Sequence, residues 1–196
     1  MNDFSELLKP KKLWEPSQIL RRDCAVPKAP GVYAWYFKNF PLETPTAGCV
    51  TFDGWTLLYV GTSPKEPPKN GRPSSRQTLY SRIRKHIRGN ASVSTLRLSL
   101  GCLLSEELDI QLRRVGSGKR MTFAKGEEKL SEWLEHNARV IWMITPEPWK
   151  LEQELIETVF LPLNLEHNEK HDFHDKLSAK RESAKKRARE MQIIGG

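Results

Sequence analysis

Two tyrosines, an arginine, a histidine and one glutamate carry the chemistry-bearing side chains of this sequence. Tyr33 lies in the apolar run 31–37 (GVYAWYF) and Tyr59 in the run 55–61 (WTLLYVG). Arg82 and His86 stand four residues apart, and Glu152 sits far downstream in a separate segment. A guanidinium offers a fixed fork of donors to phosphate oxygens, and an imidazole titrates near neutrality. A phenol or imidazole can orient or deprotonate a water, and a carboxylate can hold a divalent ion. Together these are the parts for in-line hydrolysis of a phosphodiester.

Strands and helices must bring them together. Both tyrosine runs are dense in β-branched and aromatic residues, so both are predicted strands. A loop over 39–54, marked by Pro41, Pro45 and Gly48, joins them and suggests a hairpin with both tyrosines on one face. The stretch 63–73 is irregular and leads to Ser74, whose x-x-Gln77 spacing resembles a capping box and predicts a helix over 75–88. At about 100° per residue, Leu79, Ile83 and Ile87 form its apolar stripe. Arg82 and His86 border that stripe on a shared face, while Arg84, Lys85 and Arg88 turn away. The plainer alternative is a pair that merely covers the edge of a core.

Residues 94–104 predict a short helix, 111–123 a hairpin, 126–137 an acidic amphipathic helix and 138–145 (ARVIWMIT) a third core strand. Gly116-Ser117-Gly118-Lys119 lacks the spacing of a phosphate loop and is a turn. The next helix begins near Pro148. Within it, Glu152 falls inside the arc of Leu151, Leu155, Ile156 and Val159, whereas Glu154 and Glu157 point away. A carboxylate in an apolar arc needs a cation or stays protonated. A divalent metal is one answer and a buried ion pair with an arginine the other.

The 196 residues, 38% apolar and 29% charged, suit one domain with extensions and an ordinary core. Cys24, Cys49 and Cys102 lie far apart with no C-x-x-C, so neither a disulfide framework nor a zinc knuckle is signalled and a reducing cytoplasm fits best. No apolar run reaches the roughly 18 residues of a membrane span, so a soluble cytoplasmic protein is expected. The net charge of +8 is concentrated. Residues 60–90 hold Lys65, Lys69, Arg72, Arg76, Arg82, Arg84, Lys85 and Arg88 against Glu66 alone. Residues 170–191 hold eight more bases, Lys185, Lys186 and Arg187 among them, against four carboxylates. Two basic zones on an otherwise slightly acidic chain suggest a DNA footprint, with an ordinary solvated surface as the alternative. The second zone predicts a helix that lies on DNA or projects into solvent. His167, His171 and His174 could suggest zinc, but no cysteine lies near them.

The order GVY, YVG, Arg82-x-x-x-His86, Glu152 and Asn164 resembles the GIY-YIG nuclease superfamily over residues 30–164. Valine replaces isoleucine in both named motifs, and two loops are longer than in minimal members. The resemblance implies an α+β fold, a small central antiparallel three-stranded sheet flanked by helices. Here it would carry an inserted hairpin and helix region and a basic C-terminal helix. The implied organisation is an N-terminal extension (1–29), a nuclease domain (30–168) with insertions at 62–74 and 91–137, and a basic tail (169–196). The resemblance further implies a metal-dependent DNA endonuclease using Mg²⁺ or Mn²⁺ held by Glu152. Tyr33, Tyr59, Arg82 and His86 would surround the reacting phosphate, and Asn164 would fix local geometry. A phenol of pKa about 10 is a poor base, so Arg82 and the metal would have to favour ionised Tyr33. Deleting 176–196 would then weaken DNA binding but spare cleavage. Two other classes stay open. A catalytically inactive nucleic-acid-binding module explains the charge but not a glutamate in an apolar arc, and a protein-interaction domain explains the insertions but not the basic zone beside Arg82.

Overall fold

The computed structural model describes residues 4–70 and 75–195, so Arg72 and Ser74 lie outside the described residues. Two short helices, α1 (Ser5–Leu8) and α2 (Pro16–Leu20), precede strands β1 (Gly31–Phe37), β2 (Thr51–Phe52) and β3 (Trp55–Ser63). Helices α3 (Leu79–Arg88) and α4 (Thr95–Leu103), hairpin strands β4 (Arg113–Val115) and β5 (Arg120–Thr122) and helix α5 (Gly126–Asn137) follow. Strand β6 (Ala138–Ile144) and helices α6 (Pro148–Thr158) and α7 (His174–Glu190) complete the chain.

The α+β fold is built on an antiparallel sheet of order β2-β3-β1-β6. It has four strands where three were expected. The fourth arises because Asp53 and Gly54 both take positive φ, 49° and 75°, and fold Thr51–Phe52 back onto β3. Two left-handed residues in succession suit a tight hairpin, and Asp-Gly is the pair that adopts them readily.

All seven residues of β1 are buried, because helices cover both sheet faces. Val32, Ala34 and Tyr36 pack with Leu151, Leu155 and Ile156 of α6. Tyr33, Trp35 and Phe37 face the cluster that holds Leu79, Ile83 and Ile87 of α3 together with residues of α4, α5 and α7. Backbone contacts from outside the sheet reach β6 and the part of β3 beyond β2, which shortens the open strand edge. Trp14 exchanges backbone hydrogen bonds with Val140 of β6, at 2.9 and 3.0 Å. On the other side Leu163 N–H donates to Leu58 O of β3 at 3.1 Å. The N-terminal segment is therefore part of the packed structure, and the Tyr36 hydroxyl donates to Leu7 O across it at 2.7 Å.

The basic tail does not project into solvent. Leu177, Ala184 and Ala188 of α7 are buried against the domain. Arg114 of β4 donates to Ala188 O at 3.1 Å and Met191 O at 2.9 Å, and Lys176 and Lys180 pair with Glu43. Among the described residues no helix is long and apolar enough to cross a membrane.

Candidate active site

The β1–β3 register places Tyr33 opposite Gly61 and Trp35 opposite Tyr59, so both motif tyrosines occupy one sheet face. The Tyr33 ring lies directly over Gly61. A Cβ at Gly61 would come within 2.8 Å of Tyr33 Cε2 and closer still to its hydroxyl. The glycine of the second motif is thus the space that the tyrosine of the first occupies.

Helix α3 begins one turn later than its sequence suggested. Thr78 is the N-cap, accepting from Ser81 N–H at 3.3 Å, while Ser81 Oγ accepts from Thr78 N–H at 3.1 Å. Thr78 and Ser81 thus close a capping box at this start, while Ser74 of the expected box lies outside the described residues. From this start Leu79, Ile83 and Ile87 are buried, and with them His86. His86 Nε2 lies 2.7 Å from the Tyr33 hydroxyl and its Nδ1 lies 2.7 Å from Ser94 Oγ. Burial, reinforced by the positive charges of Arg82 and Arg97, holds His86 well below the usual imidazole range. It is a neutral ring, donating from one nitrogen and accepting at the other. Arg82 donates through Nε to the Tyr33 hydroxyl at 3.3 Å and through Nη1 to Val93 O at 2.9 Å.

Arg82 alone does not favour the ionised form of the Tyr33 phenol. Burial raises its pKa well above 10, the neighbouring Tyr59 adds to the rise, and Arg82 only partly opposes them. Tyr59 also rises through burial, and its hydroxyl lies 3.1 Å from Thr95 Oγ1.

Glu152 lines the same cavity of about 260 Å³ as Tyr33, Tyr59, Arg82 and Glu166. It is half-buried, and burial pushes its carboxyl up to about 7, with Lys65 and Arg82 opposing and Glu166 reinforcing. Glu157 is exposed as expected, whereas Glu154 is half-buried. Lys65 holds Glu166 in an ion pair of 2.6 Å at this cavity. Asn164 is buried and turned toward the backbone of β3. Its Oδ1 accepts from Val60 N–H and its Nδ2 donates to Val60 O, both at 2.9 Å, replacing the missing neighbour strand one residue from Tyr59. Among the described residues no three His, Cys, Asp or Glu side chains cluster as a ready-made metal cage. His171 stacks on Phe160 with ring centres 4.1 Å apart, and His174 pairs with Asp175.

The basic residues divide by surroundings. Lys69, Arg76, Lys85, Arg88, Lys186 and Arg187 are exposed, and Lys185 pairs with Glu182. Lys69 lines a groove of about 390 Å³ that also contains Lys65 and Glu152. Arg84 is taken up by the N-terminal segment, donating to Ile19 O at 2.7 Å and lying over the Tyr80 ring.

Sequence reasoning passed over the pair that supports His86. Arg97 is completely buried within α4 and meets the Glu127 carboxylate of α5 at 2.7 Å. Its Nη1 donates to His86 O at 3.2 Å and Ile87 O at 2.9 Å, satisfying carbonyls of the last turn of α3. A lone arginine in STLRLSLGCLL carried the same kind of signal as Glu152 in its own arc.

Tyr33, Tyr59, Arg82 and Glu152 line one cavity of the α+β domain, with His86 buried against the Tyr33 hydroxyl. Residues 31–183 match the GIY-YIG catalytic domain, and the chain belongs to that family, whose members are in general nucleases. No curated protein and no solved structure matches the chain.

Proposed function

We propose that the protein is a metal-dependent DNA endonuclease whose site comprises Tyr33, Tyr59, Arg82, His86 and Glu152, with Asn164 as a positioning residue. The observation that carries this reading is the Tyr33 hydroxyl held between Arg82 Nε and His86 Nε2 at the wall of a cavity shared with Glu152. The donor set suits Mg²⁺ or Mn²⁺. One half-buried carboxylate whose burial disfavours its charge asks for a cation, and such ions complete their shell with water and phosphate oxygens. When bound by Glu152, the ion supplies charge neutralisation at the leaving 3′ oxygen.

The chain's own groups account for the proton. In the tautomer this step requires, Tyr33 O–H donates to neutral His86 Nε2 and Ser94 Oγ accepts from Nδ1–H. As water attacks phosphorus, Tyr33 takes the water proton while its own passes to His86. Neither a standing phenolate nor a standing imidazolium is favoured here, so transfer is concerted with attack. Arg82 fixes the Tyr33 oxygen and turns its remaining N–H groups to the phosphate. Lys69, Arg76, Lys85 and Arg88, with Lys186 and Arg187, extend a basic surface for the DNA backbone.

Supercoiled plasmid and branched DNA, incubated with Mg²⁺ and with EDTA as control, test the reading. Nicked or linear product should appear only with the metal. Binding without metal-dependent product would sink the enzyme and leave a nucleic-acid-binding module.

A pH dependence follows from Glu152. Its carboxyl holds a proton up to about pH 7, and proton and ion compete for the same oxygens. Mn²⁺ affinity without DNA, read by electron paramagnetic resonance, should therefore rise about tenfold per pH unit below that point and level off above it. An affinity that does not change between acid and alkaline buffer would exclude Glu152 as the ligand.

A further inference from the structure

Helix α7 carries one base on the face that should exclude it. Its buried residues are Leu177, Ala184 and Ala188, and Arg181 stands four residues after the first and three before the second, within their stripe. Lys176 and Lys180 are matched by Glu43, and Lys185 by Glu182. Arg181 is half-buried, lines the cavity with Tyr59, Arg82 and Glu152, and makes no hydrogen bond or ion pair among the described residues. Burial lowers its pKa, opposed by Cys102, Tyr59 and, least of the three, Glu182. A half-buried guanidinium with no hydrogen-bonded or ion-paired anion among the described residues is poorly balanced, and the cavity it faces is where a ligand would balance it.

Arg82 cannot serve as the whole phosphate clamp, because its Nε is committed to Tyr33 and one Nη1 donor to Val93 O. Among the described residues nothing takes a hydrogen bond from the Arg181 fork, and that fork fits two oxygens of one phosphate. We propose that Arg181 is a substrate-binding residue that holds a phosphate of the DNA strand inside the cavity, beside the phosphate Arg82 faces. The C-terminal helix thereby forms part of the active site, and deleting 176–196 removes a wall of that site rather than a dispensable tail. This inference rests on the nuclease reading above.

The test is DNA affinity of the full chain in EDTA, measured with a short duplex by fluorescence anisotropy across a salt series. Losing one phosphate contact should weaken binding by Arg181→Ala and flatten the slope of log K against log salt by about 0.9. Arg181→Lys keeps the charge and should restore the slope, while the loss of the planar fork keeps its cleavage in Mg²⁺ below wild type. Arg181→Ala with wild-type affinity and slope overturns the proposal. So does lost affinity that comes with a lowered Tm in both variants, because that is a packing role. A wild-type protein that binds no DNA overturns the nuclease reading itself, a distinct result that removes this inference with it.

Discussion

Glu152→Gln should abolish metal-dependent cleavage, lowering the rate by more than about 100-fold, the upper end of what losing an outer-shell partner alone costs. DNA binding in EDTA should persist, since the amide keeps the volume and only the carboxylate charge is lost. The same substitution should not harm the fold. Burial raises the Glu152 carboxyl from 4.5 to about 7, so the folded state retains a proton that the unfolded chain has released. The stability this group contributes is present below the lower value and is lost as pH rises through the higher one. Glu152→Gln has no such loss, so relative to wild type it should gain stability from acid pH up to about 7 and hold that gain above. Glu157→Gln, exposed on the same helix, should leave cleavage and stability unchanged. If Glu152→Gln cleaves at the wild-type rate in Mg²⁺, or Glu157→Gln loses cleavage instead, the site is wrongly assigned.

What could be read from the sequence was what local pattern controls. Gly31–Phe37 and Ala138–Ile144 form strands where aromatic and β-branched density put them, and Glu152 reaches the cavity because its helix has a clear apolar arc. What escaped depended on distant partners or thin signals. The stripe of α7 is one leucine and two alanines, too small to announce that the helix docks, so Arg181 looked like one more surface base. The N-terminal segment docks through Trp14 and the carbonyls of Ile19 and Arg21, which no periodicity marks. The upward shift of the Tyr33 pKa escaped for a related reason. Its charge neighbours are visible in sequence, but its complete burial, which outweighs them, is a property of the assembled sheet and helices.

Arg97 is the sharpest case of a distant partner, and its removal should be the most damaging single change to the fold. Its guanidinium meets Glu127 Oε2 through Nε at 2.8 Å and Nη2 at 2.7 Å, and Nη2 also donates to Glu127 O at 2.6 Å. Glu127 Oε1 in turn accepts from Ala91 N–H at 2.8 Å and Phe123 N–H at 3.0 Å. One ion pair therefore joins the end of α3, helix α4, helix α5 and two loops. Arg97→Met fills similar space but leaves the Glu127 carboxylate and the His86 and Ile87 carbonyls without their donor. Breaking one side of such a buried pair costs about 3–5 kcal/mol, whereas replacing both charges is far milder. Urea denaturation should therefore show a large loss for Arg97→Met and a substantial recovery in Arg97→Met combined with Glu127→Gln, whose amide oxygen still accepts from Ala91 and Phe123 N–H. Cleavage should fall in the single variant even where it remains folded, since the lost guanidinium donates to the carbonyls of His86 and Ile87 and so steadies the turn that carries His86. Near wild-type stability in Arg97→Met would show that the hydrogen-bonded pair contributes no net stability, and that packing alone keeps α3, α4 and α5 together.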